Sequence, residues 1–302
     1  MSWIVSIPLD AYPADALAAL SPGGFSLGAA RAAMWLSQLA YEEAADKART
    51  VMQRWQIEPL LIFDCPNPDY PLAGSTRGFV ARAGDATLVA FGGTDPLVIA
   101  NWITDFRVVR NAAGVHRGFD AALDIVWPQL APLLQAQAGR PLLFAGHSLG
   151  AALALLCAGR ALAEYGLAPA AVYGFGMPRA GDGAFAGRIN AGFGQRLYRL
   201  AHGRDMVPSL PPAALGFCHA GRYLGCGRQT LFDGSALTAA PTLEPGNGSG
   251  LVQAAMDSLR GLLRPPAAPA AGDWQAQIAL TRLLPAPLAD HLPDRYWNAL
   301  GG

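Results

Sequence analysis

A serine between glycines is the feature of this sequence that most directly indicates chemistry. The pattern G-x-S-x-G occupies 146–150, with Ser148 as its serine, between a short apolar run at 141–145 and an Ala/Leu-rich segment at 151–163. This order is typical of a nucleophile held on a sharp turn between a buried strand and a helix. Glycines allow backbone to approach where a β-carbon would collide. The sequence therefore predicts that Ser148 is a nucleophile rather than an ordinary turn serine.

A serine hydroxyl becomes a nucleophile only when a base removes its proton, and histidine is the usual base. On a strand–turn–helix site the partners follow in the order Ser, Asp or Glu, His, which excludes His116. His147 lies beside the nucleophile, and on a tight turn its side chain points elsewhere. His202 precedes the best candidate acid, and His219 lies in an alternating, strand-like stretch at 217–224. We therefore expect His291, in a turn-rich loop before the last short helix, to be the base.

The base requires an acid that orients it. Asp205 follows the alternating run at 196–201 and lies in the loop 202–208. A carboxylate just beyond the carboxyl end of a strand is well placed for this role, although a helix cap or a turn would also explain it. Asp182 is the other candidate, but it lies between glycines before a short helix, which is typical of an N-cap. The sequence favours Asp205.

The intermediate of acyl transfer requires N–H donors for its oxyanion. The residue after the nucleophile, Leu149, offers one such donor. Thr94 offers the second, because it ends the segment 91–94 at the close of a predicted strand. Gly92 and Gly93 alone would equally fit a simple turn.

The elements that must position these residues follow from the spacing of apolar side chains. Helical spacing covers 26–55, 117–137, 151–163 and 184–190. Short apolar runs, which indicate strands, occupy 79–83, 87–91, 141–145, 170–175 and 196–201. The first two runs flank Gly84 and Asp85 and predict a hairpin. Strands that alternate with helices predict an α/β fold around a mostly parallel sheet.

Composition excludes several classes of protein. The 302 residues include 22 basic and 22 acidic side chains, 52% apolar residues and 15% charged residues. A neutral balance argues against a nucleic-acid-binding protein, and the high apolar content argues against general disorder. The longest apolar stretch, 151–158, is far shorter than the ~20 residues that span a bilayer.

The N-terminus and the cysteines bear on the compartment. The N-terminal segment has no basic n-region and contains Asp10 and Asp15, which is not typical of a Sec signal peptide and favours the cytoplasm. Export by another route is the alternative. Cys65, Cys157, Cys218 and Cys226 form no C-x-x-C pair, so we expect free thiols and no metal site. A disulfide between Cys218 and Cys226 would require an oxidising compartment.

Seven short motifs follow one another along the chain. They are FGGT at 91–94, NWITD at 101–105, VHRGF at 115–119, GHSLGAA at 146–152, GMPR at 176–179, HGRDMVP with LPP at 202–212, and Asp290-His291 with Tyr296. In this order they resemble the class 3 lipase family, the fungal-type triacylglycerol lipases of the α/β-hydrolase fold. The resemblance covers about 26–224 and the last dozen residues.

The resemblance implies the fold, the chemistry and the site. It implies an α/β-hydrolase fold and hydrolysis of carboxylic esters, most directly acylglycerols at a lipid–water interface, without a metal or an organic cofactor. The triad it implies is Ser148, Asp205 and His291, with Thr94 and Leu149 as oxyanion donors. It also implies that the stretch from Asp95 to about Trp102 forms a lid, in which Leu97, Val98 and Ile99 meet lipid. Packing of these three residues into the core is the alternative.

Two departures from the family pattern matter. Gly92 stands where the family has arginine, which removes a charged anchor and predicts a looser loop. The stretch 225–288 is not explained by the resemblance, and within it 251–263 and 274–284 have helical character around a Pro/Ala-rich linker at 265–271. We therefore expect one domain over 1–302 with an insertion at about 225–288 that covers the site, binds a partner or is merely tolerated.

Three other functions remain open at this point. A soluble esterase or polyester hydrolase would use the same site. A binding protein would keep the fold without catalysis, which the presence of Ser148, Asp205 and His291 argues against. A lipase regulated by a partner or a pro-segment would rest only on the stretch 225–288.

Overall fold

A seven-stranded sheet organises the chain. The computed structural model describes residues 6–67, 75–93, 109–242, 281 and 284–301. The main sheet contains β1 (Glu58–Pro66), β2 (Ser75–Ala83), β3 (Ala86–Phe91), β4 (Leu142–His147), β5 (Ala171–Phe175), β7 (Leu197–His202) and β9 (Arg222–Cys226). Two short strands, β6 (Gly181–Asp182) and β8 (Phe217–Cys218), pair with each other. The helices are α1 (Leu27–Leu39), α2 (Ala45–Arg54), α3 (Arg117–Ala136), α4 (Leu149–Tyr165), α5 (Gly183–Phe193), α6 (Ala286–Ala289) and α7 (Pro293–Ala299).

The order of the strands sets where a site can form. The order across the sheet is β1-β2-β3-β4-β5-β7-β9, antiparallel from β1 to β3 and parallel from β3 onward. The carboxyl ends of five neighbouring strands therefore meet at one edge, with β4 near the middle. Ligands of open α/β sheets bind beyond this edge. The predicted α/β class with a mostly parallel sheet is confirmed, as is the hairpin of β2 and β3.

Helices cover both faces of the sheet, and successive side chains of each strand pack against opposite layers of helices. Val80 and Val89 point to one face and pack with α3, α4 and α5. Phe79 and Leu88 point to the other face and pack with α1, α2 and α7. Successive side chains of a strand face opposite ways, so a strand covered on both faces is apolar throughout. This explains why β4 is a continuous apolar run in the sequence.

The single helical segment predicted for 26–55 is wrong, because the chain forms two helices there. α1 starts at its N-cap Ser26, whose hydroxyl accepts the Ala29 N–H, and the chain bends between α1 and α2. In that bend the buried carboxylate of Glu42 accepts from the Ile7 N–H and the Tyr12 hydroxyl, at 3.2 and 2.7 Å. A buried carboxylate requires such donors, and here they come from the N-terminal segment and from Lys47 of α2, whose Nζ lies 2.8 Å from Glu42 Oε2.

Two further differences concern strands. The stretch 217–224 is not one strand, because β8 pairs with β6 while β9 belongs to the main sheet, and Gly221 separates them with a φ of +82°. β1 lies in a region where the sequence analysis predicts no strand. The helices predicted at 251–263 and 274–284 and the linker at 265–271 lie outside the described residues, apart from 281 and 284.

The described part of the predicted insertion runs along the outer side of β9. The Thr238 N–H donates to the Tyr223 carbonyl at 3.0 Å, and the Tyr223 N–H donates to the Thr238 hydroxyl at 2.7 Å. The Thr242 N–H donates to the Gly221 carbonyl at 3.1 Å. Residues 238–242 therefore occupy part of the free edge, at Tyr223 and at Gly221 just before the strand. In the described ranges, no helix combines the length and apolar character needed to cross a bilayer.

Candidate active site

Ser148 lies on a strained turn between β4 and α4. Its φ of +59° and ψ of −131° belong to a region that side chains other than glycine rarely adopt. Its N–H donates to the Phe175 carbonyl at the end of β5, at 2.9 Å. Strain of this kind costs about 1–3 kcal/mol and persists where the surroundings enforce it. The turn therefore presents the serine just beyond the carboxyl edge of the sheet.

Two glycines make this turn sterically possible. A β-carbon on Gly146 would lie 2.2 Å from the Gly150 carbonyl oxygen, and one on Gly150 would lie 2.3 Å from the Phe91 carbonyl oxygen. Both distances are far below van der Waals contact with rigid backbone. The spacing of the motif thus has a packing cause: α4 approaches both its own strand and the end of β3.

Asp205 lies in the loop after β7, where three hydrogen-bond donors hold its carboxylate. Its Oδ1 accepts the Val207 N–H at 2.8 Å, while its Oδ2 accepts from His291 Nδ1 at 2.7 Å and from the Tyr296 hydroxyl at 2.5 Å. The carboxylate has no solvent exposure. Burial and the neighbouring Asp205 raise the pKa of Tyr296 well above its ordinary range, so the phenol keeps its proton and donates. The acid is therefore fixed in position and direction.

His291 lies between α6 and α7 and is almost completely buried. Its Nδ1–H donates to Asp205, and among the described residues its Nε2 has no hydrogen-bond partner. Gly176, with a φ of +55°, makes room for the pair: a β-carbon there would lie 2.7 Å from Asp205 Oδ2 and 2.9 Å from His291 Nδ1. Nε2 is the nitrogen that a triad uses to take the serine proton.

His147, which is excluded as the base on its position in the sequence, contacts His291 directly. Its Nε2 donates to the His291 carbonyl at 2.7 Å, its Nδ1 accepts from the Tyr41 hydroxyl at 2.7 Å, and the two imidazoles lie 4.6 Å apart. Burial, and then proximity to His291, hold the pKa of His147 well below its ordinary value. A neutral ring with this tautomer explains both bonds, and it ties His291 to the turn of Ser148.

Of the two expected oxyanion donors, Leu149 lies within the described residues. Leu149 is the first residue of α4, where backbone N–H groups have no partner within the helix. Gly93 lies against the turn, since a β-carbon there would lie 2.7 Å from the His147 carbonyl oxygen and 3.0 Å from Ser148 Cβ. Thr94 lies outside the described residues. The predicted lid residues also lie outside them: Leu97, Val98, Ile99 and Trp102.

Gly92 itself is tightly packed, and the loop after Gly93, which we expect to be looser for lack of an arginine, lies outside the described residues. A β-carbon on Gly92 would lie 2.3 Å from the Ala40 carbonyl oxygen and 3.0 Å from Arg77 Cγ. The Gly92 N–H donates to the Arg77 carbonyl at 3.0 Å, and the Arg77 guanidinium pairs with Glu43 at 3.0 Å. An arginine from β2 therefore lies beside the glycine, and no side chain fits at 92.

The rejected candidates have structural roles. Asp182 is the N-cap of α5 and accepts the Phe185 N–H at 2.9 Å. His219 follows β8 rather than lying within a strand, and its buried ring donates to the Pro208 carbonyl at 2.8 Å. His116 is buried against Phe119, with ring centroids 4.4 Å apart.

The cysteines are unpaired, and the described residues contain no cluster of metal ligands. All four cysteines are free thiols, so Cys218 and Cys226 are not paired. Burial raises the pKa of Cys226 to about 11, which keeps that thiol protonated. Within the part of the chain that the structure describes, no three His, Cys, Asp or Glu side chains lie together as metal ligands would.

Comparison with known proteins finds similarity to lipases. The family model for lipase (class 3) matches residues 88–215. A lipase from Rhizomucor miehei is 37% identical over 163 residues, which are 48% of this chain and 44% of the relative. The match thus spans less than half the length of that relative.

Solved structures extend the likeness over more of the chain. The lipase of Rhizopus microsporus var. chinensis has a TM-score of 0.55 and 25% identity over 69% of this chain and 74% of its own. A triacylglycerol lipase whose catalytic centre is described as a serine protease triad has a TM-score of 0.53 and 26% identity, over 72% of this chain and 84% of its own.

Proposed function

We propose that this chain, which matches the family model for lipase (class 3) over residues 88–215, is a lipase of that family and hydrolyses carboxylic esters through an acyl-enzyme, with acylglycerols as its substrates. The observation that carries the proposal is the contact of His291 with Asp205 next to a serine on a strained turn. A helix cap or a turn aspartate would have no reason to fix a buried imidazole.

In the first half-reaction, Ser148 Oγ attacks the ester carbonyl while His291 Nε2 takes its proton. Asp205 holds the Nδ1–H tautomer and stabilises the imidazolium. The negative charge on the carbonyl oxygen develops toward the N–H of Leu149, at the positive end of α4, and toward the N–H of Thr94. The C–O bond to the alcohol then breaks, and the alcohol leaves with the proton from the imidazolium.

In the second half-reaction, water replaces the alcohol. His291 Nε2 removes a proton from the water as it attacks the acyl group on Ser148. Collapse of this second intermediate returns the proton to Ser148 Oγ and releases the carboxylic acid. Every group transfer is accounted for by these side chains, and the scheme uses no metal or organic cofactor.

The test is hydrolysis of p-nitrophenyl esters from acetyl to palmitoyl by the wild type and by Ser148→Ala. We expect activity that peaks at medium or long chains and a kcat about 10⁶-fold lower in the variant, as when a triad serine is removed. Ser21→Ala, which removes an exposed hydroxyl far from the turn in sequence, is the matched control and should keep full activity.

The other outcomes identify the alternatives. A profile that falls beyond the shortest chains would indicate a soluble esterase, and activity that survives in Ser148→Ala would remove the nucleophile assignment. Labelling by a fluorophosphonate requires an activated serine, so its absence, together with no hydrolysis, would indicate a binding protein with this fold.

A further inference from the structure

An arginine from the unexplained stretch reaches the residue next to the base. Arg228 Nε lies 2.9 Å from Asp290 Oδ1 and 2.8 Å from Asp290 Oδ2. The arginine side chain is 50% exposed, whereas that of Asp290 is 3% exposed. Arg228 lies beyond the part of the chain that the family model matches, which ends at 215. We name residues 227–233 the strap.

Asp290 joins the loop of the acid to the loop of the base. Its Oδ2 accepts the Arg204 N–H at 2.8 Å, one residue before Asp205, and its carbonyl accepts from His202 Nδ1 at 3.3 Å. A β-carbon on Gly203 would lie 2.6 Å from the same Oδ2, so the fit is close. The carboxylate therefore sets the distance between the two loops.

The strap also holds the helix that carries Tyr296. The Phe232 N–H donates to the Ala299 carbonyl at 2.9 Å, near the end of α7. The buried Phe232 ring stacks on the Tyr296 ring, with centroids 6.3 Å apart. The strap thus contacts both the residue before His291 and the residue that shares Asp205 with it.

A buried carboxylate is costly unless a partner compensates its charge. Without Arg228, the carboxylate of Asp290 would stand uncompensated one residue from the imidazole. An uncompensated negative charge near an imidazole favours the imidazolium, which cannot act as a base. The sign of this effect distinguishes an electrostatic role from loss of packing.

We propose that Arg228 is a positioning residue of the site: it neutralises Asp290, which then fixes the loop of Asp205 against the loop of His291. The inference rests on the proposed function, because it assigns His291 the role of base. It assigns a positioning role in catalysis to Arg228, a residue at the start of the insertion that belongs to none of the seven family motifs.

The effect on His291 must be judged against every charged or titratable group around it. Among the described residues, these groups are Asp205, His147, Tyr296, Asp290 with Arg228, His202, Asp294 and Arg204. Of these, Arg228→Gln alters only the charge that balances Asp290.

The experiment measures kcat/KM against pH for Arg228→Gln, Asp290→Asn and the double variant. We expect Arg228→Gln to lower kcat/KM roughly 10-fold at pH 7 through misplacement of the base. We also expect it to move the acid limb of the profile up by about 0.5–1 pH unit. Asp290→Asn leaves Arg228 uncompensated and should move the limb down, whereas the double variant should return it to the wild-type position. Arg49→Gln removes an exposed charge on α2 and should change neither quantity.

Titration of the His291 ring by NMR in the same variants, without substrate, separates this inference from the proposed function. If the wild type hydrolyses no ester, a midpoint that still moves in opposite directions in Arg228→Gln and Asp290→Asn supports the positioning role. An acid limb and a midpoint that stay in place in both variants would overturn it, even if activity falls. Unchanged kcat/KM in Arg228→Gln would overturn it as well.

Discussion

At the scale of single residues, the site depends on how one carboxylate is shared. Asp205 Oδ2 accepts from both His291 and Tyr296, and the Tyr296 hydroxyl in turn accepts the His202 N–H at 3.2 Å. The phenol therefore connects the acid to the strand before it, β7. Hydrogen bonds to a charged group are stronger than neutral ones, so this connection restricts the direction of the carboxylate.

Removal of the phenol oxygen in Tyr296→Phe tests this connection. We expect kcat/KM to fall roughly 10-fold, because Asp205 gains freedom to rotate away from the imidazole. We also expect unfolding free energy to fall by about 1.5–3 kcal/mol, the usual worth of a hydrogen bond to a charged group. Ester hydrolysis and urea unfolding measure the two quantities.

Tyr165→Phe is the matched control, since Tyr165 is exposed at the end of α4 and stacks on Trp127. If both variants keep wild-type kcat/KM, the phenol has no part in orienting the acid.

Some residues of the site can be predicted from the sequence and others cannot, for physical reasons. Ser148, Asp205 and His291 can be proposed because each lies at a recognisable turn and the fold fixes their order. The contacts of His147 and Arg228 join residues far apart in the chain, at distances set by packing. Nothing in the local spacing of residues predicts that the side chain of His147 donates a hydrogen bond to the backbone carbonyl of His291.

At the scale of elements, the end of α2 shows how local bonds stop a helix. The Gln56 N–H donates to the Gln53 carbonyl and the Ile57 N–H to the Met52 carbonyl, at 3.1 and 3.0 Å. This is the Schellman pattern, and it requires a left-handed residue, which here is Gln56 with a φ of +55°. The sequence contains no glycine at this point, so the end of α2 and the start of β1 are not visible in it.

Gln56→Gly is expected to stabilise the protein. Glycine adopts a positive φ without the steric cost that a β-carbon brings, so the unfolding free energy should rise by a few tenths to about 1 kcal/mol. Urea unfolding measures the change, and Gln53→Gly, inside the same helix, should instead lower stability by about 1 kcal/mol. Equal losses in both variants would mean that Gln56 has contacts worth more than its strain.

At the scale of the whole molecule, two buried histidines link stability to pH. Burial holds the pKa of both His147 and His219 well below its ordinary value. The unfolded chain therefore binds protons on these rings at a pH where the folded chain does not. Stability then rises with pH through this window, since the unfolded state binds more protons.

We expect the unfolding free energy to be constant near pH 7.5 and to fall as the pH drops below about 6.5, the value for an unfolded histidine. The loss should approach about 1.4 kcal/mol per pH unit for each of the two rings. Urea unfolding at pH 7.5, 6.5 and 5.5 measures it. His219→Gln keeps a donor for the Pro208 carbonyl and should reduce the slope by about half. A flat profile down to pH 5 would contradict the linkage.

The two outer strands of the sheet are protected in different ways, and this bears on self-association. β1 carries Pro59, Asp64 and Pro66, which discourage a further strand from joining it. β9 has no proline, and Thr238 occupies the N–H and C=O groups of Tyr223 on its outer side. A deletion that removed the insertion from 227 onward would open that edge to pairing with another chain. Residues 227–233 and 238–242 are neighbouring parts of the insertion, so a single deletion would remove both the contact with Asp290 and the contacts with β9.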